Sequence, residues 1–373
     1  MKIVVDAMGG DNAPSAIIEG VVLAVREYDV EIILTGLSDR LETELSKYED
    51  RADLPIEIVP AEDVVAMHES PSKVLRSKKK SSIKVGLELV KNGDAAAFVS
   101  AGNTGAVLAF STFTLRPLKG VDRPAIAIQL PTLKGPAILL DAGANVDCKT
   151  VQLFQFGIMG HSFAKYILGK DIPEVGLLSI GEEDSKGNEV TREVFQMLKN
   201  SHINFIGNLE GKDVYRGNAD VIVCDGFTGN IALKISESLA EMIGTNLKQL
   251  FLTNWATKFG YFFLKPHFIK FNKSVDYSET GGAPLLGVNG VCIIAHGSSS
   301  PKAIKNAINR AKELVDKKMN DHIREDIESN IAVSKEPFWK QIKKIAFTSD
   351  KEKSDDSASK EVDPSSENKF NQN

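Results

Sequence analysis

Cysteine is scarce in this chain: three residues in 373, Cys148, Cys224 and Cys292. They are far apart, odd in number and never in C-x-x-C spacing. That excludes a disulfide framework and a cysteine zinc site, and it fits a reducing cytoplasm. The six histidines are scattered with no H-E-x-x-H pair, so no metal is expected. G-x-G-x-x-G, G-x-x-x-x-G-K-[ST] and G-x-S-x-G are all missing, which removes the usual dinucleotide, P-loop and serine-hydrolase readings. No apolar run nears the roughly 18–20 residues that span a bilayer, and no signal peptide is expected before the first strand. Neither sign of charge dominates: the net charge is −5, which argues against a general nucleic-acid binder.

What is present is rhythm. Apolar, β-branched runs alternate with helical patterns. Strands are expected at Lys2–Asp6, Glu31–Thr35, Ile56–Val59, Ala95–Ser100, Ala125–Leu130, Ala137–Asp141, Glu174–Ile180, Asn204–Ile206, Val221–Asp225 and Val291–His296. Helical segments between most of them predict a three-layer α/β/α fold with a mostly parallel sheet. The expected layout is one α/β domain over residues 1–333. Residues 348–373, rich in Ser, Lys, Asp and Glu, read as a disordered polar tail.

Six of these strands end in small, polar, glycine-bearing loops. They are Asp6 to Pro14, Ser100 to Gly105, Asp141 to Asn145, Ser179 to Asn188, Asp225 to Asn230 and His296 to Ser300. Any one of them reads equally well as a turn or a helix cap. Together, at strand carboxyl ends, they are expected to line one edge of the sheet. Glycines allow backbone N–H groups to approach a ligand, and helix N-termini attract anions, so a phosphate-bearing ligand is the natural inference.

Two stretches fall outside this pattern. Val74 to Ser82 holds Arg76, Lys78, Lys79 and Lys80 ahead of a helix, a solvated loop or an anion site. Phe251 to Phe271 crowds Trp255, Phe259, Phe262 and Phe263 among lysines, although the chain is only 7% aromatic. It reads as an insertion around 245–273, broken by Gly260 and Pro266 and so not one long buried helix. Membrane interface, dimer contact and satellite core stay open.

As a set, the loops resemble the PlsX family of bacterial acyl-acyl carrier protein:phosphate acyltransferases. The motifs are Asp6-Ala-Met-Gly-Gly-Asp11-x-Ala-Pro14, Ser100-Ala-Gly-Asn-Thr-Gly105, Leu140-Asp-x-Gly-Ala-Asn145, Gly181-x-Glu-x-x-Lys-Gly-Asn188, Cys224-Asp-Gly-Phe-Thr-Gly-Asn230 and Ala295-His-Gly-Ser-Ser299. The resemblance runs from Met1 to about Asp326. It implies a fold similar to phosphotransacetylase and the isocitrate/isopropylmalate dehydrogenases, a homodimer, and peripheral attachment to the inner face of the cell membrane. The implied reaction is attack of inorganic phosphate on a fatty acyl-carrier thioester. The resemblance also implies that the acyl phosphate passes to a membrane glycerol-3-phosphate acyltransferase in phospholipid synthesis. No cofactor is implied beyond the phosphopantetheine that the carrier brings.

The resemblance places catalysis on Lys186 and Asn230. Lys186 is a cation suited to holding phosphate or the oxyanion, and Asn230 is an amide donor to the carbonyl oxygen. His296 is a candidate proton donor to the departing thiolate. Gly9, Gly10, Asp11, Ser100, Asn103, Thr104, Asn145, Thr228, Gly229, Gly297 and Ser298 are expected to line the phosphate and pantetheine site. The carboxylates Asp6, Asp11, Asp141 and Asp225 are poor anion ligands and are expected to orient donors or cap helices. Against an acidic carrier protein, Arg76, Lys78, Lys79 and Lys80 become a docking patch. The alternatives are a coenzyme A phosphotransacylase of the same fold, a decarboxylating dehydrogenase, for which no arginine cluster is found, and a lipid-binding regulator without turnover.

Overall fold

The computed structural model describes residues 1–275 and 281–334. Its strands are β1 (Lys2–Asp6), β2 (Glu31–Gly36), β3 (Ile56–Pro60), β4 (Ala97–Ser100), β5 (Ala125–Thr132), β6 (Gly135–Leu140), β7 (Val175–Leu178), β8 (Phe205–Leu209), β9 (Val221–Val223), β10 (Ala283–Leu286) and β11 (Val291–Ile294). Its helices are α1 (Ser15–Glu27), α2 (Ser38–Leu45), α3 (Pro71–Ser77), α4 (Ser82–Asn92), α5 (Thr104–Thr114), α6 (Thr150–Tyr166), α7 (Glu189–Lys199), α8 (Gly226–Leu252), α9 (Trp255–Val275), α10 (Pro301–Asp316) and α11 (Met319–Ser334). Residues Met1–Glu328 form one compact unit. The polar tail at 348–373 lies outside the described residues.

Helix starts follow the local chemistry. Ser81, Asn103, Asn188, Asp225 and Ser300 each accept a backbone N–H of the first turn that follows, so donors that a helix leaves open are satisfied by side chains. Pro301 occupies the first turn of α10, where its missing N–H costs nothing. Gly93 closes α4 at φ +84°, a left-handed conformation that glycine adopts without Cβ strain.

The sheet has eleven strands in the order β3-β2-β1-β4-β11-β10-β5-β6-β9-β7-β8. β3, β2, β1, β4 and β11 are mutually parallel. β6, β9, β7 and β8 form a second parallel set. Between the sets, β11–β10, β10–β5 and β5–β6 are all antiparallel. After three reversals the second set runs opposite to the first. The sheet is mostly parallel, as the rhythm implied, but the six loops do not share one edge. The loops after β1, β4 and β11 form one group, and those after β6, β7 and β9 form another. Strand direction is a long-range property that no local pattern encodes.

Buried strands read as continuous apolar runs because helices cover both faces. One core cluster joins Val4, Phe98, Leu87 and Phe110 with Ile294 and, from the loop after β6, Ala142. The Asp141 loop therefore shares its core with α5, the helix that leaves the Ser100–Gly105 loop. A second cluster holds Leu139, Ile222 and Leu209 under the other parallel set.

From Trp255 on, the aromatic stretch lies on one helix, α9, with Pro266 inside it, while Phe251 falls near the end of α8. α9 follows α8 after two residues. Along α8 the apolar residues Ile231, Ile235, Leu239 and Met242 are exposed, and Trp255 and Phe262 on α9 are 83% and 71% exposed. The expected break at Gly260 and Pro266 does not occur. No described helix is long and apolar enough to cross a membrane.

Candidate active site

In the first loop group, Asp6 is the anchor. Ser100 Oγ donates to Asp6 Oδ2 at 2.7 Å, Gly102 N donates to Ser100 Oγ at 3.0 Å, and Met8 N donates to Asp6 Oδ1 at 3.2 Å. Burial pushes the Asp6 carboxyl above its ordinary value, and these hydrogen bonds oppose the shift. Asp11 N donates to the Gly297 carbonyl at 2.8 Å, tying the first loop to the last. Gly9 lies so close to Gly102 and Asp6 that a Cβ would overlap both, and Gly10 holds φ +109° against Gly297. Here glycine is required by close approach of backbones as well as by conformation.

His296 is exposed at the end of β11. Ser298 N donates to its Nδ1 at 3.3 Å, and Ser298 Oγ lies 2.8 Å from the same nitrogen.

Asp141 organises the second group. It is fully buried. Its Oδ1 accepts from the N–H groups of Ile126, Gly143 and Ala144, and its Oδ2 accepts from Asn145 N at 2.7 Å and Asn145 Nδ2 at 2.9 Å. Burial raises its pKa against those donors. Asp225 caps α8, accepting from Thr228 N at 2.7 Å and Thr228 Oγ1 at 3.0 Å. Gly226 N donates to the Asn145 carbonyl at 2.7 Å, and a Cβ on Gly229 would strike the Asp141 carbonyl. The two loops thus interlock, and Asn230 is set on the first turn of α8 opposite Gly143.

Lys186 sits in the loop after β7. Its N–H donates to the Glu183 carbonyl at 2.9 Å. The side-chain amide of Asn208, on the neighbouring β8, donates to that same carbonyl at 2.8 Å. Lys212 adds an ion pair to Glu182 at 2.9 Å and another to Glu210 at 2.9 Å. The turn is held from three sides, while the Lys186 ammonium stays exposed and bonds to no described residue.

The expected site residues divide into two sets. Lys186, Asn230 and Thr104 present polar side-chain groups with no intramolecular partner among the described residues. Several others are fully engaged in building the loops. Asn103 caps α5 and donates to the Met67 carbonyl at 2.7 Å and the Glu69 carbonyl at 3.1 Å. Asn145 Nδ2 bonds Asp141 and, at 2.8 Å, the Pro124 carbonyl. The donors of Ser100 and Thr228 are taken by Asp6 and Asp225. The side-chain donors of Asn103, Asn145, Ser100 and Thr228, all expected at the ligand site, are engaged in holding the loops in shape.

The basic run also divides. Lys78 Nζ bonds Glu69 at 2.5 Å and the Val64 carbonyl at 2.5 Å, and Lys80 pairs with Glu62 at 2.6 Å. Arg76 and Lys79 are exposed without such partners among the described residues. Cys224 and Cys292 are buried, as their apolar surroundings in sequence suggested. Burial pushes the Cys148 thiol up to about 12, so it is not a thiolate near neutral pH. Sequence reasoning passed over Asn208, Arg123 and the Met67–Glu69 segment. None carries a local signal, because each matters through a partner distant in the chain.

The architecture is that of phosphotransacetylases. The phosphotransacetylase of Streptococcus pyogenes superposes with a TM-score of 0.59 at 18% identity, covering 84% of this chain and 94% of that one. The EutD phosphotransacetylase of Staphylococcus aureus gives 0.54 at 17%, also covering 84% and 94%. Sequence relatives narrow the class. A phosphate acyltransferase of Geobacter sulfurreducens is 49% identical over 338 residues, 91% of this chain and 97% of the relative. That of Pelobacter propionicus is 51% identical over 330 residues, 88% and 95%. A family model described as fatty acid synthesis protein matches residues 1–322. The chain belongs to the phosphate acyltransferase family.

Proposed function

We propose that the acyl donor is a fatty acyl-acyl carrier protein and that the acceptor is inorganic phosphate. A phosphate oxygen attacks the thioester carbonyl carbon, the C–S bond breaks, and acyl phosphate and carrier thiol result. Phosphate is already an anion near neutral pH, so the protein need only hold it in line and stabilise the developing oxyanion. Lys186 holds phosphate or the oxyanion, and Asn230 donates its amide N–H to the carbonyl oxygen. The thiolate leaves readily and takes its proton from water, because His296 belongs to the loop group at the opposite edge of the sheet. The observation that carries this reading is the exposed, unpartnered ammonium of Lys186 on a turn braced by Asn208 and Lys212. An amide and an ammonium at the carboxyl ends of the adjacent parallel strands β9 and β7 suit an anion and a carbonyl held together.

The carrier docks through Arg76 and Lys79, with Lys80 beside them. The exposed aromatic face of α9, including Trp255, Phe259, Phe262 and Phe263, rests on the inner membrane surface, where an acyl phosphate would partition and meet a glycerol-3-phosphate acyltransferase. The exposed apolar residues of α8 support a homodimer. The test supplies palmitoyl-carrier protein with and without phosphate and measures free carrier thiol. Phosphate-dependent release is expected. Release only from palmitoyl-coenzyme A would favour the coenzyme A reading, and none from either donor would overturn both.

A further inference from the structure

Between the turn that precedes β5 and the start of α6 lies a cleft of about 400 Å³, lined by Asp122, Arg123, Asn145, Asp147, Lys149 and Gln152. That volume falls in the range of small-molecule sites, roughly 300–1,000 Å³. Its floor is braced by amides. Gln155, 3% exposed, accepts from Asp122 N at 2.8 Å and donates to the Gly120 carbonyl at 2.7 Å. Gln152 donates to the Asp122 carboxylate and accepts from Lys149 N at 2.9 Å. Asn145 is pinned to the Pro124 carbonyl. Against this fixed frame, the Arg123 guanidinium is hydrogen-bonded to no described residue, although two carboxylates line the same cleft.

The cleft shares a wall with the catalytic loops. Asn145 lines it, and the carbonyl of Asn145 accepts from Gly226 at the start of the helix that carries Asn230. A thioester held at Asn230 must connect to its carrier through the phosphopantetheine arm. That arm has one phosphodiester, two secondary amides and a hydroxyl. The cleft offers matching chemistry: cations for the phosphodiester, and carboxylate and amide oxygens for the N–H and O–H groups.

We propose that this cleft seats the phosphopantetheine arm, with Arg123 taking the phosphodiester through its guanidinium fork. The proposal rests on the carrier-protein reading above. Inorganic phosphate shares the same chemistry, so the test separates the two. Pantetheine and 4′-phosphopantetheine are compared as inhibitors of phosphate-dependent thiol release from palmitoyl-carrier protein. In the wild-type enzyme the phosphorylated form should inhibit at least about fivefold more tightly, the scale of one charge-assisted bidentate contact. In Arg123→Gln the two should inhibit alike, with the KM for inorganic phosphate unchanged. Equal inhibition in the wild type overturns the proposal. So does preserved discrimination in Arg123→Gln, or a raised KM for inorganic phosphate there, which would give the cleft to the small anion. If Arg123→Gln does not fold by circular dichroism, Lys149→Gln is measured in its place and should narrow the same ratio; an unchanged ratio there counts against the proposal. Failure of the carrier-protein reading looks different: the wild type would then release no carrier thiol in response to phosphate.

Discussion

Gly143 faces Asn230 so closely that a Cβ added to the glycine would lie 3.5 Å from the Asn230 Cβ, and its backbone holds φ +131°. Gly143→Ala therefore combines a strained backbone, about 1–3 kcal/mol, with pressure on the amide proposed to bind the carbonyl. Expected outcomes are a lower unfolding midpoint and a lower kcat. Wild-type kcat in this variant would show that Asn230 tolerates displacement and would weaken its assigned role.

The Lys186 ammonium bonds to no described residue, and its only hydrogen bond there runs from the backbone N–H to the Glu183 carbonyl, so truncating the side chain should not disturb the fold. Lys186→Ala should reduce turnover at least tenfold, about 1.4 kcal/mol of transition-state stabilisation, with an unchanged unfolding midpoint. Steady-state kinetics beside thermal unfolding checks both halves. Wild-type rates would remove Lys186 from the mechanism.

Asn103 should behave in the opposite way. Its side chain caps α5 and bridges to Met67 and Glu69, so Asn103→Ala should cost about 1–2 kcal/mol of stability. Chemical denaturation measures it. Unchanged stability with a raised KM for phosphate would make ligand binding, rather than capping, the main role of Asn103.

Asp6 gives a pH signature. Burial raises its folded-state pKa above the ordinary 3.8, so the folded state binds a proton more readily than the unfolded chain. From this residue alone, stability rises as pH falls from above the raised pKa towards 3.8, then levels off. Unfolding of wild type and Asp6→Asn across that window should show the difference shifting in favour of the wild type as pH falls. A pH-independent difference would mean that Asp6 does not titrate in the folded protein.

The aromatic face of α9 makes a fifth prediction. Replacing Phe259, Phe262 and Phe263 together with serine should abolish sedimentation with anionic vesicles while leaving carrier-thiol release in solution intact. Unchanged vesicle binding would assign the aromatics to another contact.

Much of this was legible in sequence because short-range chemistry decides it. The strand at Lys2–Asp6, the Asp225 cap and the Pro301 helix start all follow from residue type and spacing. β10 was not legible: it has four residues, contains Pro284 and is flanked by Gly282 and Gly287, which together read as loop. Pro266 gave a break that the helix does not make. The engagement of Asn103 and Asn145 was also invisible. Asparagine in a glycine loop looks the same whether it faces a ligand or another segment of its own chain, and only the tertiary fold brings Met67 or Pro124 within reach.

β10 has a consequence of its own. Two of its residues pair with β11 and two with β5, and through β5 it joins the oppositely directed parallel sets. The span between the loops holding His296 and those holding Asn230 and Lys186 is thus governed by a seam four residues long, remote in sequence from most of the loops it aligns. Substitutions along Ala283–Leu286 that shift this register would detune the enzyme with every loop residue intact.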